Sequence, residues 1–390
     1  MLPLQSRQVL GELLLNGALP RSVLAKRIGV SQSVITRVTQ SLISDGYLLE
    51  GSALSNTAAG RRAVELLLRP DQHHVVGLAI NAYRQSASVS DLTGRVIASR
   101  QIPRIAQSDP ESTLQKLSEV ARELVAEAGV PESTLLAVGV ACVGQVDRTG
   151  RWIATSPDLG WNDVAVADLV GADLGLPVFV DSMQNALNET ERKFGKGGGM
   201  QNTLLVSVAL GIGASCIVDG NLLRGRQPVV ATMGHMPVNG IGHGCNCGRK
   251  GCLATVASGF AVLRMLGLVE EYAAPGPHDA ALVPMLTALI ERSRDDEAVS
   301  SAFRTAGHYL GQALKSAVTV TSPDAILLWG PVAQVDTYRA GIEDALRPNS
   351  SDPFGWDGEI VVSETPLDHA AARLALDRFA FCTRPKPKRN

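Results

Sequence analysis

Aromatic side chains are scarce in this 390-residue chain, at 4% of residues, although 45% of it is apolar. It can bury sizeable cores, but with few rings to do so. Net charge is also nearly absent: the formal value is −2, so no global basic field points to nucleic acid. No apolar run approaches the roughly 20 residues of a membrane span. Leu13–Leu15 is far too short for the apolar core of a signal peptide, so a cytoplasmic protein with no membrane partner is expected. Six cysteines, three of them crowded into residues 245–252, are not the framework of an extracellular disulfide fold. Cys142, Cys216 and Cys382 read as buried small apolar residues or incidental thiols. No internal repeat is visible. At about 150 residues per domain, the length suggests two or three domains.

The least ambiguous chemistry lies in Gly234–Ser258, which offers His235, Cys245, Cys247 and Cys252. Three thiolates and an imidazole are the ligand set of a closed tetrahedral zinc site, structural because no position is left open for substrate. Gly242, Gly244, Gly248 and Gly251 let a short chain fold back so that the four side chains converge. The alternatives are a disulfide or unrelated buried thiols. A Cys245–Cys247 bridge would be strained, and three clustered cysteines leave one unpaired.

The first 70 residues hold eight Lys/Arg against four acids, so they carry +4 and the remainder −6. Residues 5–16 have the spacing of an amphipathic helix. Pro20 suits the first turn of a second helix, with Val23, Leu24 and Ile28 inward and small Ala25 at a close crossing. Gly29-Val30-Ser31 is a tight turn, with Ser31 placed to cap a third helix over about 32–44. That helix buries Ile35, Val38 and Leu42 and presents Gln32, Ser33, Thr36, Arg37 and Gln40 outward. These are side chains suited to reading base edges. A strand from Gly46, a loop over 52–60 and a return at Arg61 and Arg62 outline a winged helix-turn-helix, the two arginines placed for phosphate or the minor groove. A tri-helical packing unit with a solvated basic face is the competing reading.

The spacing His-x9-Cys-x-Cys-Gly-x2-Gly-Cys-Leu resembles the zinc loop of the ROK family, which takes in bacterial repressors, uncharacterised reading frames and sugar kinases. Weaker matches extend from about residue 5 to about residue 375. Gly144-Gln-Val-Asp147 resembles the family's Gly-x-Val-Asp turn, and Pro157-Asp158-Leu159-Gly160-Trp161 its Pro-Asn-Leu-x-Trp sugar-contact segment. The resemblance implies an α/β fold: a two-lobed, actin-like (ribonuclease-H-like) sugar-kinase body with a zinc loop behind the winged head. The domains expected are 1–72 (DNA-binding), 73–182 (first lobe, completed by a C-terminal helix at about 365–383), 183–364 (second lobe, zinc loop and dimerisation surface) and a basic tail, 384–390. In that family the loop sits beside the sugar pocket, so Asp158, Gln184, Asn185, Thr232 and the metal-tied His235 are the expected effector contacts.

The catalytic signatures of the family are missing. Its nucleotide-binding Asp-Leu-Gly-Gly-Thr is Ala79-Ile80-Asn81-Ala82-Tyr83 here, losing the acid and both glycines. The general-base aspartate is Met183, and a thioether cannot accept a hydroxyl proton. The second phosphate loop keeps only Gly211 and Gly213, with Leu210 in place of threonine, and Thr232 and Ala254 replace two sugar-binding glutamates. The expectation is a regulator and not an enzyme: a zinc-containing homodimer, or dimer of dimers, that binds an inverted-repeat operator in double-stranded DNA under a sugar or related effector. The competing readings are an ATP-dependent hexose kinase, and a regulator whose body only dimerises or docks proteins.

Overall fold

A computed structural model describes residues 2–53, 64–81, 84–103, 109–225, 232–272, 281–347 and 355–381. Three helices open the chain. The first, α1 (Leu4–Asn16), buries Val9, Leu10 and Leu13. A two-residue strand, β1 (Leu19–Pro20), leads into α2 (Arg21–Ile28). Gly29 ends α2 at φ 77°, a left-handed conformation that costs glycine little. Ser31 then starts α3 (Gln32–Ser44) by accepting the Val34 amide at 3.3 Å. Hairpin strands β2 (Leu48–Ala53) and β3 (Val64–Leu68) follow, and β1 joins them in the order β1-β3-β2. On α3 the fully buried residues are Ile35, Thr39 and Leu42, with Val38 only partly covered. Thr39 can be inside because its hydroxyl accepts Arg21 Nε at 2.9 Å and donates to the Thr36 carbonyl at 3.1 Å. Arg61 and Arg62 lie outside the described residues, as do Tyr83, Cys382 and the tail.

The body holds two five-stranded sheets with the same wiring. Strands β4 (His74–Ile80), β5 (Arg84–Asp91) and β6 (Val96–Pro103) form an antiparallel meander. After α4 (Pro110–Glu127), β7 (Leu135–Cys142) lies parallel to β4. A small sheet of β8 (Gln145–Val146), β9 (Ile153–Ser156) and β10 (Trp161–Val164) precedes α5 (Val166–Leu174) and β11 (Val178–Ser182), which is parallel to β7. The chain crosses to the second lobe in α6 (Met183–Phe194). There β12 (Thr203–Val208), β13 (Ile212–Val218) and β14 (Asn221–Leu222) repeat the meander. Helices α7 (Ala254–Ala257), α8 (Gly259–Met265), α9 (Leu282–Arg292) and α10 (Glu297–Thr321) follow. Then β15 (Ala325–Trp329) pairs parallel with β12, and after α11 (Asp336–Leu346), β16 (Glu359–Ser363) pairs parallel with β15. The sheet orders β11-β7-β4-β5-β6 and β16-β15-β12-β13-β14 are therefore one pattern used twice. The sequence shows no trace of this repetition, because wiring needs only buried aliphatic strands and not repeated residues. Among the described residues, no helix is long and apolar enough to cross a membrane.

The last helix, α12 (Leu367–Phe379), returns to the first sheet and ties three parts together. Gly77 and Gly139 let it press directly on β4 and β7. A Cβ on Gly139 would overlap the Ala371 carbonyl oxygen, and one on Gly77 would overlap backbone atoms of Asp368 and Ala372. Downstream, Leu376, Ala380 and Phe381 share a core with Val9, Leu10 and Leu13 of α1. Arg7 donates to the carbonyls of Phe381 at 2.7 Å and Asp377 at 3.1 Å, closing the free carbonyl end of the helix. The head is thus packed on the body and not merely strung from residues 70–72. A Gly139→Ala variant should lose about 1–3 kcal/mol in thermal or denaturant unfolding, since neither facing backbone can retreat from an added methyl. Gly198→Ala, whose Cβ meets only ordinary contacts, should change little by comparison.

Candidate functional site: the interlobe cleft and its metal-ligand cluster

Between the two sheets lies a cleft of about 900 Å³, and all five expected effector residues line it. Asp158 comes from the β9–β10 turn, Gln184 and Asn185 from the first turn of α6, and Thr232 and His235 from the segment after β14. Burial raises the Asp158 carboxyl above the ordinary carboxylate range. Ser182 caps α6 by accepting the Asn185 amide at 3.3 Å, which fixes this wall. Gln184 Nε2 donates to Ser207 Oγ at 3.1 Å. Asn185 is committed at both ends: Nδ2 donates to Asp181 Oδ1 at 2.8 Å and Oδ1 accepts Ser215 Oγ at 2.9 Å. Both ends of its side-chain amide therefore hold the wall together.

The positions at which the sequence departs from the kinase motifs share the same cleft. Met183, Leu210, Ala254 and Asn81 line it beside Thr232. Met183 is 9% exposed and packs in one apolar cluster with Ala79, Ala141, Val143 and Trp329. The turn from β12 to β13 is held by its carbonyls: Gly259 N–H donates to Ala209 O at 2.7 Å and Phe260 N–H to Leu210 O at 3.3 Å. Those are first-turn amides of α8, the groups a helix would otherwise offer to a phosphate.

Sequence reasoning missed an ion cluster on the cleft's inner wall. Asp181 is 2% exposed, and its Oδ2 meets Arg224 at 2.5 Å and Arg378 of α12 at 3.1 Å. Both arginines are distant in sequence, and nothing local in either segment signals the pairing.

The four expected metal ligands converge beside this pocket, and their ligand atoms all lie within 4.8 Å of one another. Bridges between Pro237 and Cys252 and between Gly244 and Lys250 fold the loop back on itself. Gly248 at φ 85° and Gly251 at φ 73° take the positive-φ turns, and a Cβ on Gly251 would overlap the Ile241 carbonyl. Cys247 Sγ to Cys252 Sγ is 3.7 Å, and Cys245 Sγ to His235 Nδ1 is 3.7 Å. Bond lengths of about 2.3 Å to sulfur and 2.0–2.1 Å to nitrogen give tetrahedron edges of about 3.5–3.8 Å, so these separations fit one small divalent ion. The donor chemistry agrees. Burial pushes the Cys245 thiol up to about 12, so a thiolate there needs a cation in contact. Burial, then the Arg249 charge, lower His235 and keep its imidazole neutral. Burial also opposes ionisation of Cys247, but donors from Arg249 bring its thiol below the ordinary value. His235, Cys245 and Cys247 line the cleft, so a bound ion would order one of its walls.

Comparison with known proteins agrees with this architecture. The profile described as the ROK family matches residues 75–376. The DNA-binding transcriptional dual regulator NagC of Escherichia coli K12 is 26% identical over 375 residues, covering 94% of this chain and 89% of that protein. The xylose repressor of Bacillus subtilis is 25% identical over 320 residues, covering 82% of this chain and 80% of that one. Among solved structures, a ROK family transcriptional regulator described as a homologue of the E. coli Mlc protein superposes with TM-score 0.79 at 23% identity, covering 96% of each chain. A ROK family glucokinase from Streptomyces griseus, solved with glucose and AMPPNP, gives TM-score 0.63 at 24% identity, covering 77% of this chain and 99% of that one. Both likenesses show the mixed α/β, actin-like fold. With a family profile spanning most of the chain and all of the cleft, this protein belongs to the ROK family.

Proposed function

We propose that the chain is a sequence-specific DNA-binding transcriptional regulator, a repressor in its simplest mode, with a body that senses a sugar or related small molecule. The observation that carries this is the outward face of α3, where Gln32, Ser33, Arg37 and Gln40 are exposed on a capped helix of a basic head. Thr36 contributes less than the pattern suggests, because its hydroxyl donates to the Gln32 carbonyl at 2.7 Å. Such a helix enters the major groove, the three-stranded β1-β3-β2 sheet forms the wing, and a homodimer or dimer of dimers presents two heads to an inverted repeat. The relatives named DNA-binding regulator and xylose repressor support both the DNA target and a sugar effector. The His235, Cys245, Cys247 and Cys252 cluster holds one structural Zn²⁺, because three thiolates and a neutral imidazole suit that ion and leave no open position. The first turn of α12 lines the cleft through Leu367 and Asp368, and its far end carries α1. A ligand that shifts the lobes therefore has a stiff path to the head.

The test is a competition gel shift on the full chain with its operator. Arg37→Ala should cost about 1–3 kcal/mol, or roughly 5- to 150-fold, and relax preference at one base step in each half-site. Arg61→Ala should weaken binding to all sequences and flatten the salt dependence. An unchanged operator preference in Arg37→Ala would show that α3 is not the reader.

A further inference from the structure

The cleft is divided by chemistry in a way that a monosaccharide does not use. Its volume of about 900 Å³ lies near the top of the range that encloses drug-sized ligands, well beyond one sugar ring. Its charged lining comes from Arg84, Arg148, Asp158, Asp181 and Arg224 and from Glu364 and Asp368 at the approach to α12. Among the described residues, none of the lining side chains contributed between 254 and 334 is charged. That stretch of the lining is instead largely apolar or aromatic. Leu210 and Phe260 belong to the second lobe's core, and Tyr272 and Val283 pack against it. Phe260 and Tyr272 stack at 4.5 Å between ring centres, and Phe260 is held in place through its backbone bond to Leu210. Val283 and Thr287, one helical turn apart on α9, face the same space.

A phosphate would find no cation on that wall, and a free sugar would leave its apolar surface wet. We propose that the ligand is a glycoside with an apolar, aryl-sized aglycone. Its sugar ring lies toward Asp158, Gln184 and Thr232, and its aglycone lies against Leu210, Phe260, Tyr272 and Val283. The proposal rests on the effector reading above and sharpens it: the aglycone supplies affinity by burying apolar surface, and the sugar supplies orientation through the polar wall.

The experiment is isothermal titration of full-length, zinc-loaded protein with matched methyl and phenyl glycosides, both anomers, of common pentoses and hexoses. For the sugar that binds, the phenyl glycoside should bind at least about tenfold tighter than the methyl glycoside. Val283→Asn, a half-buried position chosen because the helix tolerates it, should reduce that ratio below about threefold. The ratio is internal to each protein, so a general loss of stability does not mimic the effect; Phe260→Ala serves as a second, deeper variant. Equal affinity of methyl and phenyl glycosides would overturn this inference while leaving a sugar effector standing. Failure of every sugar and glycoside to bind would overturn the effector reading with it. Displacement of a bound phenyl glycoside by adenosine would mean that the wall is a nucleoside slot, and would overturn the aglycone assignment alone.

Discussion

No phosphorylated sugar should form when the zinc-loaded protein is incubated with ATP and a panel of hexoses, and ATP should show no specific heat of binding. Loss of a positioned general base costs about 10²–10⁴-fold in rate, and Met183 cannot replace it. Phosphoryl transfer depends almost wholly on positioning and charge stabilisation, so losing the phosphate cradle as well removes what remains. The structure makes these losses cumulative, because Met183, Leu210, Thr232 and Ala254 line one cleft. Met183 is packed among Ala79, Val143 and Trp329, so an aspartate there would sit in an apolar cluster. Met183→Asp should therefore restore no turnover and should lower stability. Each absent glutamate removes a charged hydrogen bond worth about 1.5–3 kcal/mol, so simple hexoses should bind weakly. Turnover on any sugar, abolished by His235→Ala, would contradict the reading of the chain as a regulator only. Sugar binding without turnover would support a pocket adapted to sensing.

Removal of one metal ligand should have the largest effect on stability. Cys247→Ser should reduce zinc from one per chain to a small fraction, measured by elemental analysis, and destabilise the fold by about 4 kcal/mol or more. The cluster bears on more than its own loop. Leu253, directly after Cys252, is fully buried in the second lobe's core, and Tyr338 Oη donates to the Ala257 carbonyl of α7 at 2.6 Å. Freeing the loop loosens that core and should weaken DNA binding without touching α3. Full zinc occupancy in a Cys245/Cys247/Cys252 triple variant would place the metal elsewhere.

Local chemistry was the part of this molecule most legible in the sequence. Gly29 and Ser31 marked the turn and cap of α3, and the spacing of His235, Cys245, Cys247 and Cys252 anticipated their convergence. The expected cleft residues line one cavity from a strand-to-strand turn (Asp158), a strand-to-helix junction (Gln184, Asn185) and the segment after β14 (Thr232, His235), places where polar side chains are recognisable in short motifs. What could not be read was long-range or lacked a strong period. The short β1 needs β3 to exist at all, and β8, β9 and β10 are 2–4 residues each, too brief for an alternating signal. α5 and α11, of 9 and 11 residues, have no side-chain cap to mark where they start. The bond from Arg7 to Phe381 spans 374 residues, and the pairing of Asp181 with Arg224 and Arg378 joins segments that share no pattern. Thr39 is a different case: nothing in its own segment signals a buried polar side chain, because the partner that lets it stay inside, Arg21, comes from another helix.

The most direct measurement of the central claim is recovery and sequencing of the DNA that the protein retains from its own genome, for the native chain and for Arg37→Ala in parallel. The account predicts a small set of fragments sharing an inverted repeat, with half-site centres spaced by whole helical turns of about 10 base pairs, and loss of that enrichment in the variant. Recovery of fragments with no common sequence, in the same proportions for both proteins, would contradict it.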